Sequence, residues 1–240
     1  MDSLERAYLV GFNSILFLAW ALVLAITVDV AYRQEGDGAL LFRAVELPLM
    51  VAQTAAIMEV IHSAVGLIRS PVSITAMQVA SRLWLVWGIL VPVQGSILVD
   101  SVHLGQLAGL KFELNLLTLL LAWSCSELVR YGFFALKALG PVPYISLWLR
   151  YSAFIVMYPV GVASELTMVW LALPEIKASG MLRYSMPNAI NFGFNYYSIC
   201  ILISLTYIPG LPLLYTYMLK QRNKMLGGSR GTALAQRKEL

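Results

Sequence analysis

Six stretches of this chain stay apolar long enough to cross a lipid bilayer, and that repetition excludes most folds before any motif is read. A hydrocarbon core about 30 Å thick needs about 20 predominantly apolar residues per helical crossing. The stretches run roughly Tyr8–Tyr32, Val45–Ile68, Met77–Val99, Leu114–Leu139, Ile145–Leu173 and Ala189–Leu219. Of the 240 residues, 59% are hydrophobic and only 12% charged, against about 25% charged in an ordinary soluble domain. Because lipid offers no hydrogen-bond partners, spanning segments must satisfy their own backbone, which helices do. The expectation is an all-α, polytopic six-helix bundle over residues 1–226, followed by a basic, disordered cytosolic tail over 227–240.

Charge sets the expected orientation. Placing the N-terminus in the cytosol puts twelve Lys and Arg residues on the cytosolic side and five opposite, with six of the twelve in the tail from Lys220 onward. This is the positive-inside pattern with both termini cytosolic. It points to a membrane partner and not to nucleic acid. The first residues, MDSLER, lack the basic start of a cleavable signal, so the first apolar stretch reads as a retained span. The closing RKEL has two readings, a KDEL-like signal at a luminal end or a dibasic retrieval signal (Arg237, Lys238) at a cytosolic one. Both lead to the endoplasmic reticulum; a basic tail held near anionic lipid is the third reading. Cys125 and Cys200 lie within apolar spans, and no Cys/His cluster suggests a metal or cofactor.

One carboxylate stands out against this background. Glu165 lies inside the fifth span with Tyr158 seven residues before it, in YPVGVASE. An ionisable group at bilayer depth costs a few kcal/mol even on mild scales (about 2.5–3.5) and marks a functional site by default. Seven residues are close to two helical turns, so the two side chains share a face and stand roughly 10 Å apart along the axis. Both can reach one elongated substrate. Pro159 and Gly161 predict a kink between them. A purely structural role, with Tyr158 bonding across the bundle, is the competing reading. Glu127 and Arg130 have the i,i+3 spacing of an internal ion pair and read as structural. Arg82 and Arg150 lie near the inferred cytosolic ends, where long side chains snorkel or meet an anionic head group. Glu59 and His62 close the second span, and Asn191, Asn195, Tyr196 and Tyr197 open the sixth.

The segment HSAVGLIRS (His62–Ser70) has the spacing of the tyrosine-phosphatase loop, but Ser63 stands where that chemistry needs a cysteine thiolate. Together with MEVIH, QVASR, WSCSELVRY, WLRYSAFIVMYPVGVASE, PNAINFGFNYY and YIPGLPLLYTYMLKQRNK, in that order from Met58 to Lys224, it resembles the very-long-chain (3R)-3-hydroxyacyl-CoA dehydratases, the protein-tyrosine-phosphatase-like membrane proteins. The most specific portion is LRYxxFxxxYPxGxxSE, Leu149–Glu165. The resemblance implies dehydration of a (3R)-3-hydroxyacyl-CoA to a trans-2-enoyl-CoA, the third step of fatty-acid elongation at the endoplasmic reticulum, with Tyr158 and Glu165 catalytic and no cofactor. It also implies a lipid bilayer around the chain and, as partners, the condensing enzyme and the ketoacyl and enoyl reductases of elongation. Arg82, Arg150 and Asn195 are candidates for binding the substrate. A non-enzymatic membrane scaffold, or an inactive phosphatase-like protein, is the alternative. A transporter is disfavoured because no paired half-helices or inverted repeat are evident.

Overall fold

The computed structural model of the chain describes residues 3–33, 37–107, 110–187, 189 and 192–227. The tail 228–240 and Asn191 lie outside the described residues. Six helical spans are long and apolar enough to cross a membrane. They are built from α1 (Ser3–Arg33), α2 (Gly38–Ala55) continued by α3 (Ile57–Ala64), α4 (Val72–Trp84) continued by a π-helical turn at Leu85–Leu90, α6 (Leu116–Leu139), α7 (Tyr144–Ser152) continued by α8 (Phe154–Ser179), and α9 (Tyr196–Leu226). A single-turn helix, α5 (Ser96–Val99), and a hairpin of β1 (Val102–Leu107) with β2 (Leu110–Leu114) connect the third and fourth spans. A two-residue pairing of β3 (Arg183–Tyr184) with β4 (Phe194–Asn195) precedes α9.

The spans differ from their expected limits where local chemistry intervenes. The third was expected over Met77–Val99; it runs Val72–Leu90. Pro71 caps its start. Pro92, lacking an N–H, lies just beyond its end. Gly95 then passes so close to the Glu175 carboxylate that no larger residue fits without a shift. The apolar run through Val99 thus belongs to a bend and α5. The fifth span breaks at Ala153, and Pro159 lies inside the helix α8.

Contacts at the helix ends confirm the alternation of crossings. Arg6, at the start of the first span, donates to the carbonyls of Ala138 and Leu139 at the end of the fourth. Arg222, near the end of the sixth, donates to Ser152 Oγ early in the fifth at 3.3 Å. Gly38, opening the second span, packs against Leu98 beyond the third. Both termini of the bundle therefore share one side.

The buried apolar core sits in the half of the bundle away from that side. It joins Leu16, Trp20 and Val23 of α1 to Phe42, Val45 and Leu49 of α2. Leu85, Val86, Ile89 and Leu90, the first two turns of α6 (Leu116, Leu119, Leu120), and Met168, Val169, Ala172 and Ile176 of α8 complete it. The π-helical turn contributes more than packing. Such a turn leaves a carbonyl without its usual partner, and Gly88 O accepts from the Tyr196 hydroxyl at 2.9 Å. A Cβ at position 88 would collide with that hydroxyl. Gly88→Ala is expected to lower stability by about 1–3 kcal/mol through overpacking, and Tyr196→Phe by about 1 kcal/mol through the lost hydrogen bond. Unfolding of the detergent-solubilised protein measures both.

Candidate active site

In the half of the bundle nearer the termini, the helices stand apart around a cavity of about 330 Å3. All spans except the first contribute to its wall, through residues such as Glu59, Arg82, Trp123, Arg150, Tyr158 and Tyr207. The cavity thus lies directly beneath the side that carries both termini, and the apolar core closes the opposite half.

Glu165 marks the boundary between the two halves. It is the twelfth residue of α8, about 17 Å along the helix from Phe154, and Met168 three residues later already belongs to the core. Its side chain is 7% exposed, yet both carboxylate oxygens are engaged. Trp123 Nε1 of α6 donates to Oε1 and the Tyr207 hydroxyl of α9 donates to Oε2, each at 2.9 Å. Three helices converge on this one group. Tyr158, two turns nearer the termini, lines the same cavity and stacks on Tyr215 with ring centroids 6.2 Å apart. Gly161, between them on α8, also lines the cavity, so the wall there carries no side chain.

A buried ion network forms a second wall. Arg130 bonds Glu127 Oε2 through Nε at 2.9 Å and Glu59 Oε1 through Nη2 at 2.8 Å. Arg82 Nη1 pairs with Glu127 Oε1, and the Tyr131 hydroxyl donates to Glu59. Two carboxylates thus face two guanidinium groups, so the set is charge-balanced in a low-dielectric surrounding. That balance is needed, because an unpaired ion there carries a desolvation penalty of several kcal/mol. The i,i+3 pair of Glu127 and Arg130 is present as the spacing predicts. Glu59, from α3, and Arg82, from α4, extend it to four members.

The other expected residues have different surroundings. Arg82 is held in the network with its guanidinium 5.7 Å from the Trp123 ring centre, so it abuts the tryptophan that holds Glu165. Arg150 lines the cavity over the rings of Phe134 and Tyr151, with no carboxylate at ion-pair distance among the described residues. Asn195 is exposed and caps α9, accepting from Tyr197 N at 3.1 Å. It precedes Thr206, where α9 begins to line the cavity, by about 16 Å of helix. Asn195 is not among the residues that line the cavity.

The phosphatase-like segment forms a turn between α3 and α4. Ser63 Oγ donates to Ser70 O at 2.5 Å, Ser70 pairs with Thr75 at 2.8 Å, and Gly66 takes φ +76° to close the loop. His62 is buried and hydrogen-bonded to the Tyr8 hydroxyl at 2.8 Å. The hydroxyl in the nucleophile's place is spent on the turn.

Comparison with known proteins bears on this geometry. Residues 53–228 match the family described as protein tyrosine phosphatase-like protein, PTPLA. The chain is 42% identical over 234 residues to very-long-chain (3R)-3-hydroxyacyl-CoA dehydratase PASTICCINO 2 of Arabidopsis thaliana, covering 96% of this chain and 97% of that one. It is 43% identical over 224 residues to dehydratase hpo-8 of Caenorhabditis elegans, covering 93% and 96%. It is 38% identical over 223 residues to dehydratase 2 of Homo sapiens, covering 93% and 82%. No solved structure matches the chain.

The ion network makes its own prediction. Glu127→Gln leaves Arg82 and Arg130 with one carboxylate between them and is expected to cost about 3–5 kcal/mol, the usual penalty for breaking a buried pair. Combining it with Arg82→Gln restores the balance, so the double variant loses less than the sum of the two single losses. Equilibrium unfolding of the three variants tests this; strict additivity contradicts the coupling.

Proposed function

The chain belongs to the PTPLA family of very-long-chain (3R)-3-hydroxyacyl-CoA dehydratases, and we propose that the cavity at Tyr158 and Glu165 is where it carries out that reaction. The enzyme dehydrates a very-long-chain (3R)-3-hydroxyacyl-CoA to the trans-2-enoyl-CoA, a step of fatty-acid elongation. The observation that carries the assignment of the site is the buried Glu165 carboxylate, held by two donors at the floor of a cavity that Tyr158 also lines.

The reaction breaks the C2–H and C3–O bonds and forms the C2=C3 double bond; the hydroxyl leaves as water. The thioester makes the C2 proton acidic, and a positioned carboxylate is a suitable general base for it. Glu165 accepts that proton. The hydrogen bonds from Trp123 and Tyr207 fix the direction of its oxygens without supplying a competing cation. Tyr158 donates a hydrogen bond to the departing C3 hydroxyl or to the thioester oxygen as charge develops there. The proton taken from C2 balances the one needed to release water.

Arg150 is suited to the phosphates of CoA, since it lines the cavity with its charge not ion-paired to any described carboxylate; guanidinium groups bind phosphate oxygens in pairs of parallel hydrogen bonds. Arg82, already paired, is suited to orienting Trp123. The positive-inside excess supports cytosolic termini, which would open the cavity to the cytosolic face, where the polyanionic CoA group is solvated. An endoplasmic-reticulum membrane follows from the elongation role. A 3-ketoacyl reductase would supply the substrate, an enoyl reductase would consume the product, and a condensing enzyme would begin the cycle. A scaffold whose polar residues only joined helices would have its polar groups paired across closed interfaces; the open cavity at Glu165 argues for turnover.

Glu165→Gln and Tyr158→Phe are each expected to lower kcat for a long-chain 3-hydroxyacyl-CoA by about 10²–10⁴, the usual contribution of acid–base catalysis. Purified, folded variants that kept near-wild-type turnover would show that the reaction occurs elsewhere.

A further inference from the structure

The cavity of about 330 Å3 stands at the low end of the roughly 300–1000 Å3 found for sites that enclose drug-sized ligands. A very-long-chain acyl-CoA is larger than such ligands, so most of its acyl chain needs another place. The wall shows where. α4 and α9 both line the cavity, through Ile74, Met77 and Gln78 on one side and Thr206, Gly210 and Leu211 on the other. On the core side α9 meets the third span: the Tyr196 hydroxyl donates to Gly88 O at 2.9 Å and crowds with the Trp84 indole over Gly88. Toward the termini they are held by different neighbours, α9 by α7 and α8, and α4 by α3.

Along this divergence the wall residues are open. Met77, Gln78 and Thr206 are exposed while lining the cavity. A Cβ at Gly210 would meet nothing within 4 Å. α9 buries only Tyr196, Cys200 and Leu214 along its described length, so its terminal half is lightly packed against the bundle. Pro209 and Pro212, on either side of Gly210, each remove a backbone hydrogen bond there.

Resting on the dehydratase reading above, we propose that the gap between the first half of α4 and the second half of α9 is a lateral acyl portal. The thioester end of the substrate occupies the cavity at Glu165, and the distal methylenes pass between Met77 and Gly210 into the hydrocarbon of the bilayer. The ligand of this site is a saturated acyl chain, and the outer part of its groove is lipid. The bundle therefore has no closed end against which to measure chain length, and added methylenes exchange one apolar surrounding for another.

The test is a chain-length profile of kcat/KM, using 3-hydroxyacyl-CoA substrates from hexanoyl to docosanoyl with the full-length protein in nanodiscs. Gly210→Trp places a ring in the gap where the structure leaves space. It is expected to lower the docosanoyl-to-hexanoyl ratio of kcat/KM by roughly tenfold, the scale of excluding apolar groups from a pocket. Thr206→Trp is a second obstruction with the same expected effect, and it decides the matter if the first variant does not fold. An unchanged ratio in the folded variant overturns the portal, whether overall activity falls or stays. Wild-type protein that dehydrates none of the substrates overturns the dehydratase reading itself, which separates the two failures.

Discussion

The balanced ion network of Glu59, Arg130, Glu127 and Arg82 is the interaction on which the open half of this bundle depends. Helices in lipid gain little from burying apolar side chains against one another, since the surrounding tails are equally apolar. A cavity among them needs another source of cohesion. Here the second, third and fourth spans are joined by charge-assisted hydrogen bonds, with Glu127 only 2% exposed at their centre. The network sits beside the cavity and leaves the cavity itself unfilled.

The same arrangement links structure to chemistry. Arg82 ends the network against the Trp123 ring, and Trp123 in turn donates to Glu165. Tyr207 reaches Glu165 from the opposite side. The Glu165 carboxylate is held by groups on two other helices. Below it, the core of Trp20, Phe42, Leu85 and Met168 gives α8 a fixed seat. Precision at the site comes from the closed half, and access comes from the open one.

Much of this was legible in the sequence because it is local. Apolar run length identified six spans, and helical spacing placed Tyr158 with Glu165 and Glu127 with Arg130. What escaped depends on contacts between helices. Trp123 and Tyr207 each lie 42 residues from Glu165, and Glu59 lies 71 from Arg130. No periodicity connects residues at such separations. All three stood within the segments carrying the family resemblance, and Glu59 also showed as a charged residue closing the second span. Hydropathy also overran the end of the third span, because it reads Val91–Val99 as membrane where Pro92 and Gly95 turn the chain. Asn195 was grouped with the polar site by composition, and the register of α9 instead gives it a capping role.

The division of the bundle into a packed half and an open half also bears on the membrane as a barrier. A centre that dehydrates its substrate, binds a polyanion and liberates water must admit solvent to bilayer depth. Were the polar residues distributed along the whole length of the bundle, that solvent would form a continuous column and conduct protons and ions. With interlocked Leu, Ile, Val, Phe and Trp side chains beneath Glu165, the chamber is a cul-de-sac. A membrane can house the reaction without short-circuiting the gradients held across it.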